Sequence, residues 1–270
     1  MSKKENVCCV IVTYNGTDNV EKQVREYSEI SKLIIIDNGS KVDYVSFLES
    51  LVTKYDFKLV LNGKNLGLSR ALNQGLEYAY SNGCKYLLTL DQDSFLENSN
   101  LEKMISELES DCKLASVGPY FKQQNETQYV NYLITSGNLV LTDIIKNIGG
   151  YDEELFIDNI DIELSFRLIV NGYKLAQVKN TQIIHKIGEP EKSRIFRIKY
   201  YSHSPERFYW MYRNERYLIR KYYHSLKKLC IKSYFASVLM VLKVIFIERY
   251  KLAKLKKIFK GWKDGKRIKI

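Results

Sequence analysis

The sequence is poor in the residues that break or staple a chain. It has 3 prolines in 270 residues and no low-complexity tract or internal repeat, which argues against long disordered linkers. Its five cysteines, Cys8, Cys9, Cys84, Cys112 and Cys230, show none of the spacings of a zinc or dithiol site. They read as free thiols of a reducing compartment. Histidine is scarce, and His185 is one of three. No uncharged run reaches the ~20 residues of a spanning helix; between Tyr217 and Lys260 the longest, Ser233–Leu242, is stopped by Lys243. The polar start Met1–Asn6, followed by an apolar run of strand length, does not read as a secretory signal.

What is present is an ordinary apolar fraction of 45% and an uneven charge. From Glu206 to Ile270 there are 19 Lys/Arg against 4 Asp/Glu; before that there are 23 against 27. A mildly acidic domain, residues 1–205, is therefore followed by a basic region, 206–270. A basic region of this kind suits an anionic partner, a membrane surface or nucleic acid. No helix-turn-helix, zinc or RNA-binding signature accompanies the basic run, so nucleic acid is not expected.

Hydrophobic periodicity organises the acidic part. Val7–Thr13, Leu33–Ile36, Phe57–Leu61 and Lys85–Leu90 read as buried strands. Asn19–Ile30, Val42–Tyr55 and Leu68–Tyr80 read as helices between them. This alternation predicts an α/β fold with a mostly parallel central sheet and flanking helices. A mixed half follows: a helix over Asn98–Glu109, strands at Ala115–Tyr120, Thr127–Leu133 and Leu139–Leu141, a helix over Ile160–Asn171, and short strands at Lys174–Val178 and Gln182–His185.

Polar groups gather after the first four strands: Thr13-Tyr14-Asn15, Asp37-Asn38-Gly39-Ser40, Asn65-Leu66-Gly67 and Asp91-Gln92-Asp93. Each alone is an ordinary turn or helix cap. In an open parallel sheet the four share one edge, where ligand crevices lie. Such a site suits a nucleotide. Asp37 can hydrogen-bond a base or ribose, backbone amides near Gly67 can face phosphate, and Asp91 and Asp93 offer oxygen ligands for Mg²⁺ or Mn²⁺.

The set of motifs resembles the family 2 nucleotide-sugar glycosyltransferases with a GT-A fold. It comprises Val10-Ile11-Val12-Thr13-Tyr14-Asn15, Ile35-Ile36-Asp37-Asn38-Gly39-Ser40, Asn65-Leu66-Gly67-Leu68-Ser69-Arg70 and Leu90-Asp91-Gln92-Asp93-Ser94. The Leu-Asp-Gln-Asp-Ser form is similar to a rhamnosyltransferase branch. Thr135-Ser136-Gly137-Asn138, Gly149-Gly150-Tyr151 through Arg167, His185-Lys186-Ile187-Gly188, Ser204-Pro205 through Asn214, and Lys260-Gly261-Trp262 continue the likeness. The resemblance implies nucleotide contacts from Thr13, Tyr14, Asn15, Asp37, Asn65, Gly67 and Asp91. It implies metal contacts from Asp93 and His185, and a catalytic base at Asp161. Ser136, Gly137, Asp158 and Arg207 stand as candidate acceptor or donor-sugar contacts. Arg213 and Asn214 are read either as diphosphate contacts or as the solvated start of the basic tail. The acidic pair common in the family is altered here: Ile160 precedes Asp161, with Asp158 and Glu163 nearby. Three carboxylates therefore compete for the base role, and an acidic helix start favoured by the dipole is the structural reading of the same residues.

The resemblance implies inverting transfer of a sugar, L-rhamnose from dTDP-L-rhamnose, to a lipid-linked or polysaccharide acceptor in bacterial cell-surface glycan synthesis. A UDP-hexose donor is the alternative within the fold, and an inactive membrane-bound scaffold is the alternative outside enzymology. Tyr217–Lys260 reads as an amphipathic stretch, placing the chain peripherally on the cytoplasmic face of the cell membrane; packing in a homodimer is the other use of that stretch. The Gln-x-x-Arg-Trp motif of processive synthases is absent, which favours addition of one or few sugars.

Overall fold

The structure, a computed structural model, describes residues 6–16, 19–122, 124–185, 191–192 and 199–270. It divides into two compact units, Met1–Phe156 with Ile160–Lys186, and Ile157–Asn159 with Ile187–Ile270.

In the first unit the apolar run Val7–Thr13 forms β1, with six of seven residues buried, as a strand covered on both faces requires. Helix α1 (Asn19–Ile30) buries Val20, Val24 and Tyr27. Then come β2 (Lys32–Asp37), α2 (Val42–Val52), β3 (Lys58–Leu61), α3 (Leu68–Ser81) and β4 (Tyr86–Asp91). These four strands lie in the order β3-β2-β1-β4, all parallel. The chain steps from β1 to β2 on one side and returns as β4 on the other. The topological switch point is therefore at β1/β4, where strand ends leave a crevice.

The mixed half adds β5 (Ser94–Leu96), α4 (Asn98–Ser110), β6 (Leu114–Tyr120), β7 (Gln128–Val130), β8 (Asn138–Leu141), α5 (Thr142–Asn147), α6 (Ile160–Val170) and β9 (Lys174–His185). The sheet continues from β4 as β8-β6-β9-β5. Strand β8 is antiparallel to both its neighbours, and β9 is parallel to β6 but antiparallel to β5 and β7. Two details differ from the sequence reading. The two short strands expected at 174–178 and 182–185 are one strand, because Asn180 takes a left-handed conformation (φ 53°) and the pairing with β6 shifts register instead of ending. Strand β5, only three residues long, has no periodicity to reveal it; its partner β9 defines it.

The second unit contains a two-residue pairing of β10 (Glu191–Lys192) with β11 (Lys199–Tyr200) and three helices, α7 (Pro205–Tyr222), α8 (Lys227–Phe246) and α9 (Lys251–Gly265). Ser204 caps α7 by accepting the Arg207 N–H, with Pro205 in the first turn. Phe208, Tyr212, Val244 and Ile258 form a core shared by all three helices. Gly261 and Gly265 let α9 lie against the main chain of α7 at Tyr209 and Arg213, where a Cβ would collide.

The sequence reading places the boundary after residue 205. The structure places it after Lys186 and adds Ile157–Asn159 to the helical unit, because Asn214 on α7 donates to the carbonyls of Ile157 (2.7 Å) and Asp158 (3.0 Å). The sequence reading of α8 is corrected as well. The helix runs 20 residues and is long and apolar enough to cross a membrane by length and composition, with 11% of that stretch buried. Lys243, which ends the apolar run in sequence, turns inward to Glu248 (3.1 Å) and to the carbonyl of Tyr201 (2.6 Å).

Candidate active site

The parallel register assembles the site. Thr13 is paired with Asp37, and Val12 with Asp91. The carboxyl ends of β1, β2 and β4 thus bring Thr13, Asp37 and Asp91 to one edge.

The loops leaving that edge are tied together by side chains. The Asp37 carboxylate, 1% exposed, accepts the Thr13 hydroxyl (3.2 Å), the Gly39 N–H (3.1 Å), the Ser40 N–H (2.9 Å) and the Ser40 hydroxyl. Four donors fill the roughly four lone-pair positions of a carboxylate. With these bonds Asp37, the residue expected to meet a base or ribose, shapes its own turn. Ser40 Oγ accepts the Asn15 N–H (2.7 Å), and Asn15 Oδ1 accepts the Lys41 N–H (3.0 Å). On its other side the same loop meets the carboxylate turn: Gln92 Oε1 accepts the Tyr14 N–H (3.0 Å), and Gln92 Nε2 reaches the Tyr14 carbonyl (3.5 Å). Tyr14 itself is 50% exposed.

Asn38, nearly buried, joins the next pair of loops. Its Nδ2 donates to Asn65 Oδ1 (3.1 Å) and the Gly67 carbonyl (3.2 Å). Its Oδ1 accepts the Leu66 N–H (3.0 Å) and Asn62 Nδ2 (3.2 Å). Gly39 (φ +91°) permits this closeness, since a Cβ there would lie 2.5 Å from the Lys64 main chain. The start of α3 departs from expectation. The Gly67 N–H donates to Asn65 Oδ1 (2.9 Å) and the Leu68 N–H to the Phe156 carbonyl (2.7 Å). The amides of Gly67 and Leu68 are thus engaged within the protein.

Asp91 and Asp93 are half-buried in the turn from β4 to β5. Gln23 on α1, 2% exposed, donates to the carbonyls of Asp91 (2.9 Å) and Ser94 (2.5 Å) and so braces the turn from beneath. The Asp91 N–H donates to Ser136 Oγ (3.2 Å), and the Gly137 N–H to the Thr89 carbonyl (2.7 Å). Ser136 and Gly137, read as acceptor-side contacts, thus buttress the end of β4. The β5–β9 pairing sets Ser94 opposite His185, bringing the backbone of His185 beside the turn. The His185 side chain and Lys186-Ile187-Gly188 lie outside the described residues. Among the described residues, no three His, Cys, Asp or Glu side chains converge as a metal cluster.

The three carboxylates near α6 separate by their partners. Glu163 is wholly buried and paired to Arg167 at 2.8 Å; Arg167 also donates to the Ile148 and Gly150 carbonyls. In the helical unit, Asp158 forms a bidentate pair with Arg207 (Nη2 2.9 Å, Nε 3.0 Å). It sits with Asn159 in consecutive left-handed conformations (φ 66° and 62°). Asp161 lies in the first turn of α6, half-buried, accepting the Ile162 N–H at 2.9 Å. Asn214, read either as a diphosphate contact or as part of the solvated start of the tail, is fully buried and holds the 157–158 main chain.

A model of glycosyl transferase family 2 matches residues 8–188. The chain belongs to that family. dTDP-rhamnosyl transferase RfbF of Shigella flexneri is 26% identical over 96% of this chain and 95% of its own length. Among solved structures, the mannosyltransferase PcManGT from Pyrobaculum calidifontis, in complex with GDP-Man and Mn²⁺, superposes with a TM-score of 0.62 at 11% identity, covering 98% of this chain and 76% of that one. GalNAc-T7 with UDP, GalNAc and Mn²⁺ gives 0.63 at 15% identity over 83% of this chain, which spans 49% of that protein. The GT-A fold expected from the sequence motifs is the fold observed, and this family 2 member is a glycosyltransferase.

Sequence reasoning missed two organisers of this transferase's site. Gln23 carried a usable signal: a polar residue on the apolar stripe of α1, between Val20 and Val24. Asn38 carried none, since Asp-Asn-Gly-Ser is ordinary turn chemistry until the 62–67 loop is seen beside it.

Proposed function

We propose that the chain transfers L-rhamnose from dTDP-L-rhamnose, with inversion, to a lipid-linked or polysaccharide acceptor of the bacterial surface. The near full-length likeness to dTDP-rhamnosyl transferase RfbF carries this choice of donor. A UDP-hexose donor is the competing reading within the same fold.

The four laced loops form the donor side. Thr13, Tyr14, Asn15 and Asn65 lie at the strand ends where a nucleotide would sit, and Gln92 fixes the Tyr14 main chain against the carboxylate turn. A divalent cation, Mg²⁺ or Mn²⁺, fits this turn: two oxygen-donor side chains lie within three residues, and His185 stands in backbone register with the next one. When bound, such a cation neutralises charge on the diphosphate leaving group. Asp93 would be its principal ligand, with Gln23 and Ser136 keeping the turn in place.

On the acceptor side Asp161 is assigned as general base. It removes the hydroxyl proton as that oxygen attacks the anomeric carbon and the bond to the diphosphate breaks, a role worth roughly 10²–10⁴-fold. The match of the segment Gly149–Arg167 to the family's base-bearing segment, with Asp161 at the base position counting back from Arg167, supports Asp161; Glu163 is held by Arg167 and Asp158 by Arg207. A single displacement inverts the anomeric centre.

The test is donor turnover by the purified protein across dTDP-L-rhamnose, UDP-glucose, UDP-galactose and UDP-N-acetylglucosamine, with Mg²⁺ or Mn²⁺ added. Preferential turnover of dTDP-L-rhamnose is expected. Turnover of UDP-sugars alone sinks the rhamnosyl reading, and full activity of both Asp93→Asn and Asp161→Asn sinks the assigned mechanism.

A further inference from the structure

The second unit carries an apolar surface that transfer chemistry does not use. From Ser233 to Ile247 the only charged residue is Lys243, and it turns inward to the buried Glu248 and the Tyr201 carbonyl. The outer face of α8 is therefore free of charge over about 22 Å at 1.5 Å per residue. It presents Phe235 (62% exposed), Leu239 (66%), Leu242, Ile245 and Phe246 to the outside. Contiguous exposed apolar area of this extent marks an interaction surface.

Charge at both ends of the face identifies the partner. Lys227, Lys228 and Lys232 are exposed just before it in the chain, and Arg249 just after it. An apolar strip flanked by cations complements an anionic lipid surface: acyl chains meet the strip and headgroups meet the lysines. A second copy of this chain would bring like charges together at both ends.

The inner face of α8 decides between crossing the bilayer and lying on it. Ser233 donates to Glu215 at 3.1 Å, and Ser237 also donates to that carboxylate. Val244 packs in the core with Phe208, Tyr212 and Ile258. Helix α8 is thus fastened to α7 and α9, which carry 5 and 6 Lys/Arg respectively. It cannot enter hydrocarbon without taking those charges along. We propose that α8 lies in the plane of an anionic membrane surface, immersed by the Phe235/Leu239/Leu242/Phe246 face and not spanning. The proposal requires nothing about the donor, so it stands or falls separately from the rhamnosyl assignment.

Flotation of the full chain with vesicles of phosphatidylglycerol and phosphatidylethanolamine, compared with phosphatidylcholine alone, tests it. The intact protein is expected to float with the anionic vesicles, at least about tenfold less with the neutral ones, and to be released by alkaline carbonate. Phe235→Ser with Leu239→Ser removes exposed side chains only; it should cut flotation about tenfold while leaving helicity, melting temperature and donor hydrolysis in solution unchanged. Undiminished flotation of the double variant overturns the assignment, as does wild-type protein that resists carbonate. A wild-type dimer that the double variant dissolves, with neither protein floating, assigns the face to self-association and equally overturns it.

Discussion

Arg167 holds Glu163 at 2.8 Å one helical turn apart, with the carboxylate wholly buried. Arg167 also fastens α6 to the Ile148 and Gly150 carbonyls. Glu163→Gln should therefore act on stability. Breaking a buried pair by removing one charge costs about 3–5 kcal/mol, to be read from urea unfolding. Asp161→Asn, at a half-buried helix start, should cost no more than about 1 kcal/mol.

Gln92 is expected to act on donor affinity. Its amide holds the main chain of Tyr14 through one good and one long hydrogen bond, worth about 1 kcal/mol together. Gln92→Ala should raise the donor KM about fivefold with kcat little changed. Gln92→Glu keeps the acceptor for the Tyr14 N–H and should recover part of the loss. An equal fall in kcat would move Gln92 from positioning to chemistry.

Glu215 gives the helical unit a pH dependence. Burial raises its carboxyl pKa, partly opposed by the hydroxyls of Ser237 and Ser233. An acid with a raised folded pKa favours the protonated folded state, so its stabilising effect is full below the unfolded value near 4.5 and is lost as pH rises through the folded one. Glu215→Gln should melt higher than wild type at pH 8 and show a flatter melting temperature between pH 4 and 8 by circular dichroism.

The parallel half was legible because its signals are local. Strand and helix periodicities at Val7–Thr13, Asn19–Ile30 and Leu68–Ser81 are strong enough to set element type, and in-register parallel pairing then brings the loops together. Side-chain assignments were less legible, because a residue's hydrogen-bond capacity depends on its neighbours in space. Asp37, Gly67, Ser136 and Asn214 all lie in family motifs, yet their polar groups are engaged within the protein. The charge of Lys243 misled in the same way: its inward turn depends on Glu248, which no helical repeat reports.

The most direct test is the single-turnover rate of sugar transfer by Asp161→Asn with dTDP-L-rhamnose and a polyprenyl-diphosphate-linked glycan acceptor, beside Asp158→Asn. The assignment predicts a fall of at least about 10²-fold for Asp161→Asn, with donor binding retained, and a much smaller effect for Asp158→Asn. A rate for Asp161→Asn within a few-fold of wild type would contradict it.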